Sequence, residues 1–443
     1  MSVLQNCLGV NEMPKMKDSG IEWIGKIPME WKLRKIKYTL ISRTENNNPV
    51  RTTDILSLTA KQGVVPLSEK EGGGNKPKND FSAYRLAYPD DIVLNSMNIL
   101  SGSVGLSKYF GCVSPVYYML RPISKMDDVR FYHYIFQTTV FQKSLMGLGN
   151  GIMIKESGNG KLNTIRMRIP MDKLGNLYIP IADRKSQKII SDFLDDKCAE
   201  IDRLSNNIQA EIDILEEYKC SVITEAVTIG LVPDVEVRDS NIYYLSKVKY
   251  DWGLTKIGYV CKKLNRSFEA NDVALICSNQ GRVIVRGENV VGIMASEDNA
   301  MQGIKKNDIA IHGMDTWHGA IALSKYEGKI TRVVHVCDSS EDKRFIVYWL
   351  QYLAFQGIYK LISNGVRGNT SDFRSWDKVK DIYIALPNRE EQKVICDYLD
   401  KVCSEIDFIA DSKKQQLNVL EEYKKAIIYE YVTGKKEVKY DEF

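Results

Sequence analysis

Arg184-Lys185-Ser186-Gln187-Lys188, Asp192, Leu194-Asp195, Cys198, Glu200-Ile201-Asp202 and Leu215-Glu216-Glu217-Tyr218-Lys219 decide the fold, because the chain states them twice. The pattern returns 205 positions later, without insertion or deletion, as Arg389-Glu390-Glu391-Gln392-Lys393, Asp397, Leu399-Asp400, Cys403, Glu405-Ile406-Asp407 and Leu420-Glu421-Glu422-Tyr423-Lys424. About four positions in ten are identical across roughly 45 residues, far above chance. A duplication this long implies two equivalent halves, and so a target with two equivalent parts.

Both copies read as long helices. Leu194, Ile201, Ile208, Leu215 and Val222 step by seven, with Leu204 and Tyr218 at the intervening positions. The second copy keeps Leu399, Ile406, Leu420 and Ile427, joined by Val402, Ile409 and Tyr423, but places Lys413 where Ile208 stood. This narrow apolar stripe predicts a coiled-coil seam. No proline interrupts either run, and the glycines Gly230 and Gly434 supply the stop signals. A 45-residue helix is about 67 Å long and cannot bury its stripe alone. Because a folded domain lies between the copies, an antiparallel pair is the simplest geometry, with the helices acting as a ruler. The alternative is that each helix caps its own domain.

Outside these segments the repeat fades. Trp31-Lys32-Leu33 returns as Trp252-Gly253-Leu254, and Leu106-Ser107-Lys108-Tyr109 as Leu323-Ser324-Lys325-Tyr326, at shrinking offsets. A framework kept while loops vary suits two domains that read different things. The expected organisation is an extension at 1–15, either a disordered leader or a stretch before a real start at Met13 or Met16, then a recognition domain at 16–183 and a spacer helix at 184–230. A second domain at 231–388, a second helix at 389–435 and a tail at 436–443 follow. Strands are expected at 54–58 and 91–94, and again at 273–276 and 308–311, with helices at 129–146 and 343–361. The fold class is α+β: two mixed α/β recognition domains separated by two long antiparallel coiled-coil helices, with a pseudo-two-fold internal repeat.

Polar, glycine-containing loops lie between the strands in matched places of both domains. Gln, Asn, Arg and Lys can make paired hydrogen bonds to base edges, and the two cations also contact phosphate. The candidates for DNA contact are Lys61, Gln62, Asn95, Asn159 and Lys161 in the first domain. In the second they are Asn279, Gln280, Arg282, His312, Arg367, Asn369 and Arg374. His312, His318 and Asp315 do not read as a metal or acid–base site, because the matching positions are Asn95, Ser101 and Asn98.

Composition narrows the classes. No apolar run approaches the ~18 residues that span a bilayer. Nine scattered cysteines without a Cys-x-x-Cys pair, beside four histidines, argue for free thiols in a reducing cytoplasm and no metal. The net charge of +4 hides a partition. Residues 184–219 and 389–424 each hold nine acids against six bases, leaving about +10 on the remainder, where attraction to phosphate is useful. There is no phosphate-binding Gly-x-x-x-x-Gly-Lys-[Ser/Thr] loop, no Asn-Pro-Pro-Tyr segment, and no recurring nucleophile–base constellation. No catalytic residue is expected.

The chain resembles the specificity subunits of type I restriction–modification systems. The resemblance rests on Gly20-Ile21-Glu22-Trp23-Ile24-Gly25-Lys26-Ile27-Pro28 with Trp31, on the doubled segments, and on Leu386-Pro387-Asn388 and Val432-Thr433-Gly434-Lys435. It implies that each variable domain reads one half of a split double-stranded DNA target. It also implies that the constant helices set the gap and dock two methylation subunits. S-adenosylmethionine, ATP and magnesium are expected on the methylation and restriction/translocase subunits, and no cofactor on this chain. Two other readings fit the residues alone: a coiled-coil scaffold that binds only proteins, and a stand-alone DNA methyltransferase or nuclease.

Overall fold

The computed structural model describes residues 15–60, 62–70, 77, 79–149, 154–156, 162–164, 168–287, 300–363 and 373–438. The chain divides into two compact units, Met1–Asn206 with Leu417–Phe443, and Asn207–Gln416. Both boundaries fall inside the long helices, so each unit owns one mixed domain and a stretch of each helix.

In the first unit the central sheet has four antiparallel strands: β1 (Leu40–Arg43), β2 (Ile92–Asn95), β3 (Val104–Leu106) and β4 (Tyr117–Pro122), in the order β1-β4-β2-β3. Helix α1 (Val129–Gln137) follows, then the long helix α2 (Arg184–Thr228). The second unit repeats the plan with β5 (Cys261–Lys263), β6 (Ile309–His312), β7 (Ile321–Leu323) and β8 (Val334–Ser339), in the order β5-β8-β6-β7. Helix α3 (Lys343–Phe355) and the long helix α4 (Arg389–Val432) complete it. In each unit the strand that follows the opening tryptophan pairs antiparallel with the strand that precedes the long helix: Lys32–Lys35 with Tyr178–Ile181, and Gly253–Lys256 with Tyr383–Leu386.

Local chemistry explains the helix ends. Asp183 accepts from the backbone N–H groups of Lys185 and Ser186 at 3.0 and 3.1 Å, and Asn388 accepts from that of Glu391 at 2.9 Å. Both satisfy donors that the first helical turn leaves unpaired. The C-termini stop at Gly230 and Gly434, in left-handed conformation at φ 94° and 68°. Gly434 also needs to be glycine for space, since a Cβ there would meet the Pro28 ring at 2.4 Å.

One core per unit joins domain and helices. In the first unit Trp31, Phe131, Leu194, Ile201, Ile427 and Tyr431 share it; in the second, Trp252, Phe345, Val222, Ile223, Leu399 and Cys403 do. The helix stretches run antiparallel in each. Phe193 packs on Tyr431 at 4.5 Å and Lys424 Nζ reaches Asp202 at 2.6 Å in the first unit. In the second, Lys219 Nζ reaches Asp407 at 2.7 Å and Lys413 pairs with Glu211. Lys413 therefore leaves its stem in the seam and carries its charge to the edge. Each long helix thus packs on its own domain and also pairs with the other helix, so the two expectations for the helices coexist.

The seam is not equally buried along its length. Leu194, Ile201, Val222, Leu399, Ile406 and Ile427 are buried, whereas Ile208, Leu215 and Leu420 are half-buried. Leu204, Tyr218, Ile409 and Tyr423, expected at the intervening seam positions, are 41–54% exposed. Two helices alone cannot enclose both sets of positions.

Candidate nucleic-acid interface

The candidate residues fall into two groups, and the structure adds a third. Asn95 and His312 end equivalent strands and do the same local work. Asn95 is buried, and its Oδ1 accepts from the Met97 N–H at 3.0 Å. His312 Nδ1 faces the N–H groups of Met314 and Asp315 at 3.4 and 3.1 Å. Burial pushes the His312 pKa down against the pull of Asp315, which suits a neutral ring accepting at Nδ1. Both side chains close the turn after a central strand, where the backbone N–H groups need an acceptor.

A second group sits on hairpin turns. Gln62 lies between strands Leu56–Thr59 and Gly63–Pro66, its N–H donating to Thr59 Oγ1 at 2.9 Å and its Nε2 to the Glu69 carbonyl at 3.3 Å. Asn279 and Gln280 are exposed at the turn between Leu275–Ser278 and Arg282–Val285. Arg282 points from that hairpin to helix α4, with Nη2 at 2.9 Å from Asp407 and Nη1 at 4.0 Å from Asp411. Burial works against it, yet Lys219 and Arg282 hold the Asp407 carboxyl below its ordinary range. In this conformation Arg282 braces its domain on the helix. Arg374 is exposed, beside Phe373, whose carbonyl meets His335 Nε2 at 2.7 Å. Lys61, Asn159, Lys161, Arg367 and Asn369 lie outside the described residues.

The third group escaped the sequence reading. In the first unit Arg85, Arg168, Ser42, Thr44 and Tyr118 line a cavity of about 540 Å³, a concave surface with two cations and three hydroxyls, beside Asp172. Asp91 and its counterpart Asp308 are buried carboxylates held by arginine. Asp91 meets Arg43 Nε and Arg121 Nε at 3.3 and 3.1 Å; Asp308 takes Arg266 through two nitrogens at 3.0 and 3.1 Å. Burial pushes the Asp91 pKa up, and the N–H of Tyr88 and the two arginines oppose it. Each follows a residue in left-handed conformation, Asp90 at φ 66° and Asn307 at φ 67°. These are turn-anchoring pairs. Their signal was the repeated Asp at the head of equivalent strands. Arg266→Ala leaves a buried carboxylate without its fork and is expected to cost about 1–3 kcal/mol. Urea denaturation followed by tryptophan fluorescence checks this; an unchanged midpoint contradicts it.

Among the described residues no group of His, Cys, Asp and Glu side chains could hold a metal ion. The arrangement offers polar turns and cations on a rigid sheet, suited to holding a polyanion.

A matching fold is found among solved proteins of the type I restriction–modification system. A chain solved in a study of complex assembly and conformational transition of the type I R-M system superposes with a TM-score of 0.62, covering 92% of this chain and 98% of that one at 12% identity. The MjaX type I restriction enzyme specificity subunit assigned in Methanocaldococcus jannaschii is 21% identical over 457 aligned positions, 94% of this chain and 96% of the relative. The EcoDI specificity subunit of Escherichia coli is 26% identical over 113 residues, a quarter of this chain. No family model matches the chain. The resemblance to type I specificity subunits drawn from the doubled segments is borne out over nearly the whole length.

Proposed function

We propose that this chain is the DNA-specificity subunit of a type I restriction–modification complex, each unit reading one half of a split target. One observation carries the reading. The chain builds the same unit twice, sheet order and helix pairing alike, while the hairpin turns differ between the two copies. A duplicated scaffold with divergent loops suits two different short sequences on one duplex. Phosphate contacts supply affinity and base-edge contacts specificity. The exposed turn residues Asn279, Gln280 and Arg374 are the readers favoured by their placement, joined by the sequence candidates Lys61, Asn159, Lys161, Arg367 and Asn369.

Each unit also carries an exposed apolar triad on its helix stretches: Leu204, Val419 and Tyr423 in the first, Ile409, Ile214 and Tyr218 in the second. The triads are related by the 205-residue repeat, and they favour one methylation subunit per unit. In this reading the chain is non-catalytic. The methylation subunits bring S-adenosylmethionine, the restriction/translocase subunits bring ATP and magnesium, and the complex acts on cytoplasmic DNA. Among the described residues no helix is long and apolar enough to cross a membrane.

Arg168→Ala is expected to weaken binding evenly across sequences and to lower the salt dependence by about one counterion. Fluorescence anisotropy of the methylation complex across a salt series reads both quantities. A loss confined to one base of the target contradicts a phosphate role. The reading itself is tested by co-expressing the chain with its methylation subunit and mapping modified adenines. A two-part sequence must appear, and one half alone must change when residues 16–183 or 231–388 are exchanged for those of a relative.

A further inference from the structure

One set of contacts is built twice, residue for residue, between a divergent domain and a repeated helix. In the first unit Arg130 stands on α1 with Nη2 at 2.6 Å from Asp128 and 2.8 Å from Asp192, and Nη1 at 2.7 Å from Asp195. Tyr134, one turn further along α1, donates its hydroxyl to Asp195 at 2.6 Å. In the second unit Arg344 stands on α3 with Nη2 at 2.9 Å from Asp342 and Nη1 at 2.8 Å from both Asp397 and Asp400. Tyr348 donates to Asp400 at 2.7 Å. Gln187 and Gln392 lock the same junction, each accepting from the N–H of the helix-capping aspartate at 3.0 Å.

Magnitudes say what this junction does. The domain is held to its helix by apolar burial around Leu194 or Leu399, which is strong but has no preferred direction. The arginines and their helix carboxylates are 29–57% exposed, so as ion pairs they add little to stability. A planar guanidinium shared between carboxylates on two helices does have a direction. What it contributes is angle. A domain of this size reaches roughly 25 Å from its helix. A swing of about 10° would move its tip by about 4 Å, more than the ~3.4 Å rise of one base pair.

We propose that Arg130 and Arg344 are positioning residues for target reading: each guanidinium sets the angle at which a recognition domain leaves its helix, and thereby the gap tolerated between the two half-sites. The inference rests on the specificity-subunit reading. It explains why Gln187, Asp192 and Asp195 recur as Gln392, Asp397 and Asp400 while the domains they hold diverge.

The test uses the complete methylation complex on duplexes with the native gap and with one base pair added or removed. The unaltered complex is expected to reject the wrong gaps by roughly a hundredfold. Arg130→Ala and Arg344→Ala are expected to reduce that rejection to about tenfold or less, while preference for the bases within each half is unchanged. Lysine at either position keeps the charge without the fork and is expected not to restore it. Tyr134→Phe and Tyr348→Phe remove one hydroxyl each and shift gap rejection the same way by a smaller factor; they decide the matter if the alanine variants fail to assemble. Unaltered gap rejection in assembled variants overturns the inference. An unaltered complex that recognises no two-part sequence overturns the specificity-subunit reading, and the inference with it.

Discussion

Leu194→Ala and Leu399→Ala are each expected to destabilise their unit by about 2–5 kcal/mol, more than any other seam substitution. The two leucines are equivalent in the repeat, both are wholly buried, and each sits where helix, domain and partner helix meet. Truncation there loses apolar burial and leaves a cavity that rigid neighbours on three sides cannot fill. Ile208→Ala, half-buried in the seam, is expected to cost less than about half as much, because it has less buried apolar surface to lose. Denaturant titration with probes in each unit separates the two transitions, a necessary precaution for a chain with two compact units. Equal losses at Leu194 and Ile208 would mean that the seam, and not the domain–helix core, supplies the stability.

The second large effect is on assembly. Tyr218→Ala and Tyr423→Ala should barely alter folding, since the rings are 54% and 52% exposed. Aromatic side chains of this kind act as interface anchors, and loss of one costs about 2–4 kcal/mol of binding. Affinity for a methylation subunit should fall by roughly 30-fold or more at the altered unit. Because each unit carries its own triad, one substitution should remove one of two methylation subunits and the double substitution both. Sedimentation of the co-expressed complex reads this directly. A double variant that retains two subunits at unaltered affinity would assign the triads no role.

Much of this architecture is legible in the residues. The seven-residue stepping through Leu194, Ile201 and Val222, the stops at Gly230 and Gly434, and the repeat itself give two long helices and two alike units. What misled was the assumption that every apolar position in a heptad faces the partner helix. Leu204, Tyr218, Ile409 and Tyr423 keep the spacing yet point outward, and spacing alone cannot distinguish a partner within the chain from one outside it. Asn95 and His312 show a second ambiguity. A polar residue ending a strand suits a base edge and a backbone N–H equally well, and here one acceptor atom of each serves the backbone. Arg282 shows a third, since a hairpin cation can serve a phosphate or a helix carboxylate. Arg130 and Arg344 were hidden because their partners on the long helices lie more than fifty residues away, although the doubled aspartates were in plain view.

The central claim is that two units of one scaffold read two separate halves of a DNA sequence. A genome-wide map of adenine methylation, taken with the co-expressed methylation subunit and repeated after exchanging residues 231–388, tests it most directly. The account predicts a two-part motif in which one half changes and the other half, with its gap, stays as before. A contiguous motif, or one whose halves change together, would contradict it.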